Sequence, residues 1–154
     1  MSTCKTEARF GLIGAVVLAV LIMGGCAKAI KYSYDMNTSF SGLNTYKWEP
    51  SSPPYRQDPL LEANVQFLAD EAFAKKGLSI ASEKPDMLVS MSYEYEVMNS
   101  KYIYQLRTIT LNIYKSENRE LIWRGSAFGN IKTDAASEDL KQAVEGILLN
   151  FPPK

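Results

Sequence analysis

Apolar and polar side chains alternate most regularly from Met87 to Val97. There Met87, Val89, Met91, Tyr93, Tyr95 and Val97 interleave with Ser90, Ser92, Glu94 and Glu96, Leu88 being the exception. Alternation of this length predicts a strand with one buried face. In the next stretch Tyr102, Tyr104 and Leu106 share one parity, whereas Ile109, Leu111 and Ile113 share the other. A strict pleat would expose one of those sets, so a bulge or break is expected near Arg107-Thr108. After the turn "KSENRE", the segment "LIWRGSAF" supplies a third strand, with Leu121 and Trp123 expected on the buried side and Arg124 opposite. Residues 87–128 should therefore form an antiparallel meander. Two shorter strands are expected earlier, in "AIKYSYD" and in "TYKWEP", where Tyr46 and Trp48 share a face.

Helical spacing appears twice. Leu61, Val65, Leu68 and Ala72 recur behind Asp58-Pro59, an N-cap followed by proline at the first helical position, and Gly77 suits the helix end. Leu60, Phe67 and Phe73 are expected to widen the apolar surface of this helix over a sheet. Leu140, Val144, Ile147 and Phe151 mark the last helix, with Ser137 as its N-cap and Glu138 and Asp139 at its positive end. Pro152-Pro153 stops it, and the proline-rich "PSSPPYRQDP" is a loop. The predicted fold is α+β, in the order β-β-α-β-β-β-α, with a mainly antiparallel sheet and two helices packed on one face.

The N-terminal pattern is of another kind. Lys5 and Arg9 precede the apolar "GLIGAVVLAVLIMG", which ends at Gly25-Cys26. A charged start and an apolar run of about 14 residues, short of the roughly 20 needed to span a bilayer, read as a secretory signal peptide. Met23-Gly24-Gly25-Cys26 resembles a bacterial lipobox, Met23 standing where Leu is usual. That resemblance implies cleavage before Cys26, a lipid on its sulfur and an acyl group, such as palmitate, on its new amino group. Residues 1–25 would be the signal peptide, 26–29 a lipidated tether and 30–153 one domain. Several acyl chains together hold a protein firmly. Ala27, instead of the Asp that commonly retains lipoproteins in the inner membrane, implies the outer membrane of a two-membrane bacterium, with the domain facing the periplasm. Three tether residues reach only about 10 Å, so the domain must sit close to its membrane.

Composition narrows the chemistry. The 154 residues suffice for one compact domain. Lys plus Arg and Asp plus Glu number 17 each, and removing Lys5, Glu7 and Arg9 leaves the rest within one charge of neutral. Nothing in that balance draws the chain to nucleic acid. There is no histidine, which removes the usual general base and the commonest metal ligand. No cofactor or metal is implied, and an enzyme is not expected. Loss of Cys4 with the signal leaves no internal disulfide.

The lipobox cysteine, "YDMNTSFSGLNTYKW", "DPLL", "KPDMLVS", "LIWRGSA" and the terminal "FPP" occur here in a fixed order. Together they resemble the bacterial lipoproteins of domain-of-unknown-function family 4136, over essentially residues 26–153. The resemblance implies a small envelope lipoprotein and supplies no catalytic residues. Members often carry a longer insert in the central hairpin, where this chain has the compact "MNSKYIYQ".

Several side chains are candidates for contact with a partner. Tyr93, Tyr95, Tyr102, Tyr104 and Tyr114 would suit a groove for sugars, peptidoglycan fragments or lipid, or serve simply as strand residues at the core edge. Glu94 and Glu96 stand about 7 Å apart by the strand rise, a glycosidase-like separation, but on a face expected to be solvated. Arg124 is suited to a carboxylate or phosphate, or to a cross-strand pair with Glu94 or Glu96. Gly125 would permit a bulge or a close helix contact. The favoured expectation is a non-enzymatic envelope protein that binds an envelope protein, lipid or peptidoglycan partner. The surface would comprise the exposed face of residues 88–96, Arg124 and the proline loop. The alternatives are a small-ligand or lipid module built on the tyrosines and a carboxylate-dependent cell-wall hydrolase.

Overall fold

The computed structural model describes residues 29–50, 58–97, 104–133 and 138–153. Its strands are β1 (Ala29–Tyr34), β2 (Thr45–Trp48), β3 (Ser79–Ile80), β4 (Met87–Val97), β5 (Tyr104–Lys115) and β6 (Leu121–Ile131). Its helices are α1 (Pro59–Lys75), between β2 and β3, and α2 (Glu138–Leu148), after β6. The six strands form one sheet in the order β1-β6-β5-β4-β2-β3. The expected meander is present as β4-β5-β6, with β1 antiparallel to β6. β2 runs parallel to both β4 and β3, so the sheet is mixed. The two-residue β3 has no counterpart in the expected order, because two residues carry no readable alternation.

The core lies between one sheet face and the two helices. Met87, Val89, Met91 and Tyr93 of β4, Ile109, Leu111 and Ile113 of β5, and Trp123 and Ala127 of β6 are buried there. Leu106 is buried as well, on the opposite parity from Ile109. The change of phase expected near Arg107 is thus real. Glu94 pairs with Thr108 and Tyr95 with Leu106, which leaves Arg107 as an extra residue on β5. A second irregularity overturns the expected place of Leu121. Ile113 pairs with Trp123 but Tyr114 with Leu121, so Ile122 is a bulge residue that puts Leu121 and Trp123 on different faces. Leu121 is exposed.

Helix α1 begins as its sequence predicts. Oδ1 of Asp58 accepts from the Leu61 N–H at 3.1 Å, with proline in the first turn. It ends at Gly77, whose φ of 82° takes the chain into the left-handed region. Leu78 N–H donates to the Phe73 carbonyl and Gly77 N–H to that of Ala74, both at 3.0 Å, capping the last turn. Leu61, Val65, Ala69, Ala72 and Phe73 are buried. Leu60 and Phe67 are not: they are 71% and 63% exposed. The helix seats a narrow stripe on the sheet, and the wider apolar surface expected for it faces outward instead.

Helix α2 buries Leu140, Ala143, Val144, Ile147 and Leu148. Its expected N-cap, Ser137, lies outside the described residues. Beyond its end the Phe151 ring meets Phe40 and Phe73 at 5.9 Å and Trp123 at 5.3 Å between centroids. Three of the sequence motifs, "TSF", "IWRG" and "FPP", thus converge on one aromatic cluster. Gly125 makes this possible: a Cβ there would stand 2.2 Å from the Trp123 indole and 2.8 Å from Ile147. The close helix contact foreseen for Gly125 is its role.

Candidate functional site

With both helices on one side, the other face of the sheet carries no helix of the described chain. The register sets its side chains in rows that cross β1, β6, β5 and β4. One row is Ser33, Arg124, Asn112 and Ser90; the next is Lys31, Ser126, Thr110 and Ser92; a third is Ala29, Phe128, Thr108 and Glu94. Small hydroxyl side chains dominate the centre, where Thr110 Oγ1 and Ser126 Oγ lie 2.7 Å apart. Lys31 holds its ammonium 5.3 Å from the centroid of the Phe128 ring, a cation–π contact that shields this apolar residue. The centre of the face is polar and built of small side chains, with the charged groups arranged around it.

Arg124 and Glu94 both belong to this face but do not meet. Along β6, four residues separate the row of Arg124 from that of Glu94, a distance of about 13 Å. The guanidinium instead donates from Nε to Asn112 Oδ1 at 2.7 Å. Glu96 is taken by Arg107, the bulge residue, in an ion pair. The cross-strand Arg124–glutamate pair expected from the sequence is replaced by these two, because the bulge brings a nearer cation to Glu96. Glu94 is exposed.

The tyrosines do not share one surface. Tyr93 and Tyr95 point to the helix side, their rings edge to face at 5.8 Å. The Tyr93 hydroxyl donates to Glu62 Oε1 at 2.9 Å and accepts from the Asp58 N–H at 2.7 Å. Burial first, and the carboxylate of Glu62 with it, push that hydroxyl up to about 12, against the opposing effect of the Asp58 N–H. Tyr95 donates to Asp58 Oδ2 at 2.7 Å. Both therefore clamp the first turn of α1. Tyr114 lies on the opposite, uncovered face beside Leu88. Tyr102, like the lipobox residues Met23, Gly24, Gly25 and Cys26, lies outside the described residues, as does the side chain of Tyr104.

Sequence reasoning missed the carboxylates that hold the fold in register. Asp70 Oδ1 accepts from Tyr46 Oη at 2.7 Å and from Trp48 Nε1 at 2.8 Å, tying α1 to β2. Asp86 Oδ2 accepts from the N–H groups of Asn44 and Thr45 at 2.9 Å and from Thr45 Oγ1 at 2.7 Å. Those bonds, that of the Thr45 hydroxyl first, hold the Asp86 carboxyl below its ordinary value. They join "GLNTY" to "KPDM", and the recurrence of both motifs in the resemblance was the available signal. Asp35 closes a local turn by accepting from Thr38 Oγ1 at 2.6 Å and from the Asn37 N–H at 3.0 Å. Among the described residues no group of three or more His, Cys, Asp or Glu is placed to hold a metal ion, and no helix is long and apolar enough to cross a membrane.

Solved structures resemble this fold. A PDZ domain protein from Parabacteroides distasonis ATCC 8503 superposes with a TM-score of 0.58 at 14% identity, over 81% of this chain and 35% of that one. This chain thus spans about a third of that protein's length. PelC dodecamers from Paraburkholderia phytofirmans, one of them a point variant, in space groups C2 and P6, each give 0.54 at 11% identity. They are matched over 79% of this chain and 95% and 96% of theirs. At such identities the likeness shows the fold alone. No curated protein matches the chain. The family model described as "Domain of unknown function (DUF4136)" matches residues 30–153, both helices and all of the sheet but Ala29, and the chain belongs to that family.

Proposed function

We propose that this chain is a lipoprotein held by acyl chains on Cys26 in the outer membrane, facing the periplasm. There it serves as a non-enzymatic binding or accessory protein of the cell envelope. The observation that carries the reading is the uncovered polar face spanning β1, β6, β5 and β4. Small-molecule sites are largely apolar, whereas the centre of this face is lined with Ser, Thr and Asn beside Arg124. It suits a protein partner that lies across several strands. The hydroxyls of Tyr93 and Tyr95 are engaged with α1, which counts against the tyrosine-lined ligand site. Glu94 is exposed and Glu96 is paired with Arg107, which counts against an acid–base pair of glutamates. Ala27 after Cys26 supports the outer membrane over the inner.

The test is site-specific photocrosslinking in cells from Ser92 and Thr110, with positions in the β5–β6 turn as controls. The expected result is a discrete protein adduct from the face alone, lost on reversing the charges of Glu94 and Arg124. No adduct, or one unchanged by those reversals, would sink the assignment. The intact mass of protein taken from its own membrane tests the anchor, which requires a chain beginning at acylated Cys26.

A second reading, assembly into a homo-oligomer, is supported by β1. It is an edge strand whose Tyr32 and Tyr34 are exposed, and unpaired edges recruit further chains. The PelC neighbours are themselves dodecamers. Native mass spectrometry of the extracted protein, showing one subunit or several, decides it.

A further inference from the structure

We infer that β1 is a self-complementary edge that pairs antiparallel with β1 of a second copy, about a two-fold axis at Ser33. This deepens the second reading above, self-assembly, and rests on it. Asp35 fixes the hydrogen-bond phase of the strand, since its N–H donates to the Ile122 carbonyl of β6 at 3.0 Å. Backbone groups of successive residues alternate between the two sides of an antiparallel strand. Ser33 and Lys31 therefore turn their N–H and C=O groups to β6 as well, and Ile30, Tyr32 and Tyr34 turn theirs outward. β1 is the end strand of the sheet, and among the described residues nothing bonds to those outward groups. An unpaired row of this kind is a template for another strand.

The order of side chains selects a second β1 as that strand and sets its register. With the axis at Ser33, Tyr32 lies opposite Tyr34 of the second copy, and their outward backbone groups bond to one another. The same register sets Lys31 opposite Asp35 of the second copy, twice over, in pairs whose side chains stand closer. Lys31 is exposed, and among the described residues its ammonium meets the Phe128 ring and no carboxylate. Asp35 holds Thr38 and the Asn37 N–H, and a carboxylate has acceptor sites left for an ammonium. An axis at Tyr32 would put Lys31 opposite Ser33 instead and leave both charges unmatched. On the helix side α2 reaches β1 at Ile30, through Gly146. Tyr32 and Tyr34, on the same side, are 48% and 40% exposed, and their rings would fill the seam between the copies. The axis runs perpendicular to the sheet, so two six-stranded sheets join into one and their polar faces point the same way.

The test uses the full chain in its own membrane. Ser33→Cys places a thiol on the axis, where opposed residues of a non-hydrogen-bonded pair stand about 4.5 Å apart, within disulfide range. The expected result of mild oxidation is a disulfide-linked dimer from Ser33→Cys, absent from the parent and from Ser92→Cys on β4. A linked dimer from Tyr32→Cys and not from Ser33→Cys shifts the register and overturns the inference. Native mass spectrometry of the extracted protein separates this inference from the reading beneath it. An oligomer without the Ser33→Cys link leaves self-assembly standing and overturns the β1 axis, whereas a monomer overturns both. Lys31→Glu, on an exposed position, should weaken the dimer about tenfold, because two ion pairs become two like-charge pairs. A dimer of unchanged strength in that variant overturns the pairing of Lys31 with Asp35, and the axis with it.

Discussion

Arg124 donates from Nε to Oδ1 of Asn112 at 2.7 Å, across the register pair that joins β6 to β5. Asn112 is only 7% exposed, although no helix of the described chain lies over it. The contact therefore both supplies the partner of a buried amide and fixes a guanidinium beside the hydroxyl-lined centre of the face. Arg124→Ala should lower stability by about 1–2 kcal/mol, because it leaves the amide oxygen unpaired. Arg124→Lys should fall between, since an ammonium keeps the charge without the planar donor. Urea unfolding followed by tryptophan fluorescence measures both.

Asp70 receives two side chains from one strand, the Tyr46 hydroxyl and the Trp48 indole N–H. Asp70→Ala should cost about 2–4 kcal/mol, since two donors lose a charged acceptor together. Burial first, and then Asp70, raise the pKa of Tyr46 above its ordinary value. The Tyr46 phenol should thus ionise at lower pH in Asp70→Asn, and ultraviolet titration of the folded variant checks this.

Gly125 lies beneath the Trp123 ring and against Ile147. Gly125→Ala should destabilise the domain by at least about 2 kcal/mol through overpacking. Ile147→Val should not restore it, because the indole edge is the nearer clash. Thermal unfolding of the single and double variants decides the point.

The Asp86 pKa is depressed in the folded protein by the Thr45 hydroxyl and the Asn44 N–H. A depressed carboxylate adds stability above its unfolded value, ordinarily 3.8, and loses it as pH falls through the folded value. Asp86→Asn should therefore be clearly less stable than the parent at pH 7, and the gap should narrow below about pH 4. Urea midpoints across that range provide the comparison. A gap that stays constant would show that proton linkage at Asp86 is not involved.

Where one physical rule governed a stretch, the sequence was readable. Alternation marked β4, the parity change placed the bulge at Arg107, and Asp58, Pro59 and Gly77 bounded α1, since caps and pleats depend on neighbours in the chain. Features that depend on distant partners were hidden. The parallel pairing of β2 with β4 requires knowing where α1 returns the chain. The bulge at Ile122, invisible to parity, sent Leu121 to the other face. On α1, Leu60 and Phe67 carry the same apolar character as Leu61 and Val65, and only the path of the sheet decides which pair is buried. At the candidate site, side-chain type identified Arg124 and the glutamates. Their actual partners, Asn112 and Arg107, followed from strand register, which no single strand encodes.

The pairing of β1 with β6 bears on the order in which the molecule is assembled. Ala29 meets Phe128 and Tyr34 meets Trp123, so the earliest strand waits for a partner made roughly ninety to a hundred residues later. Helix α2, which packs Gly146 against Ile30, arrives later still. A chain emerging from its N-terminus can form β2, α1 and the β4–β5 hairpin while β1 still has no neighbour. The first strand of the domain is thus among the last parts to be locked, and its place in the sheet is closed only by the C-terminal third of the chain.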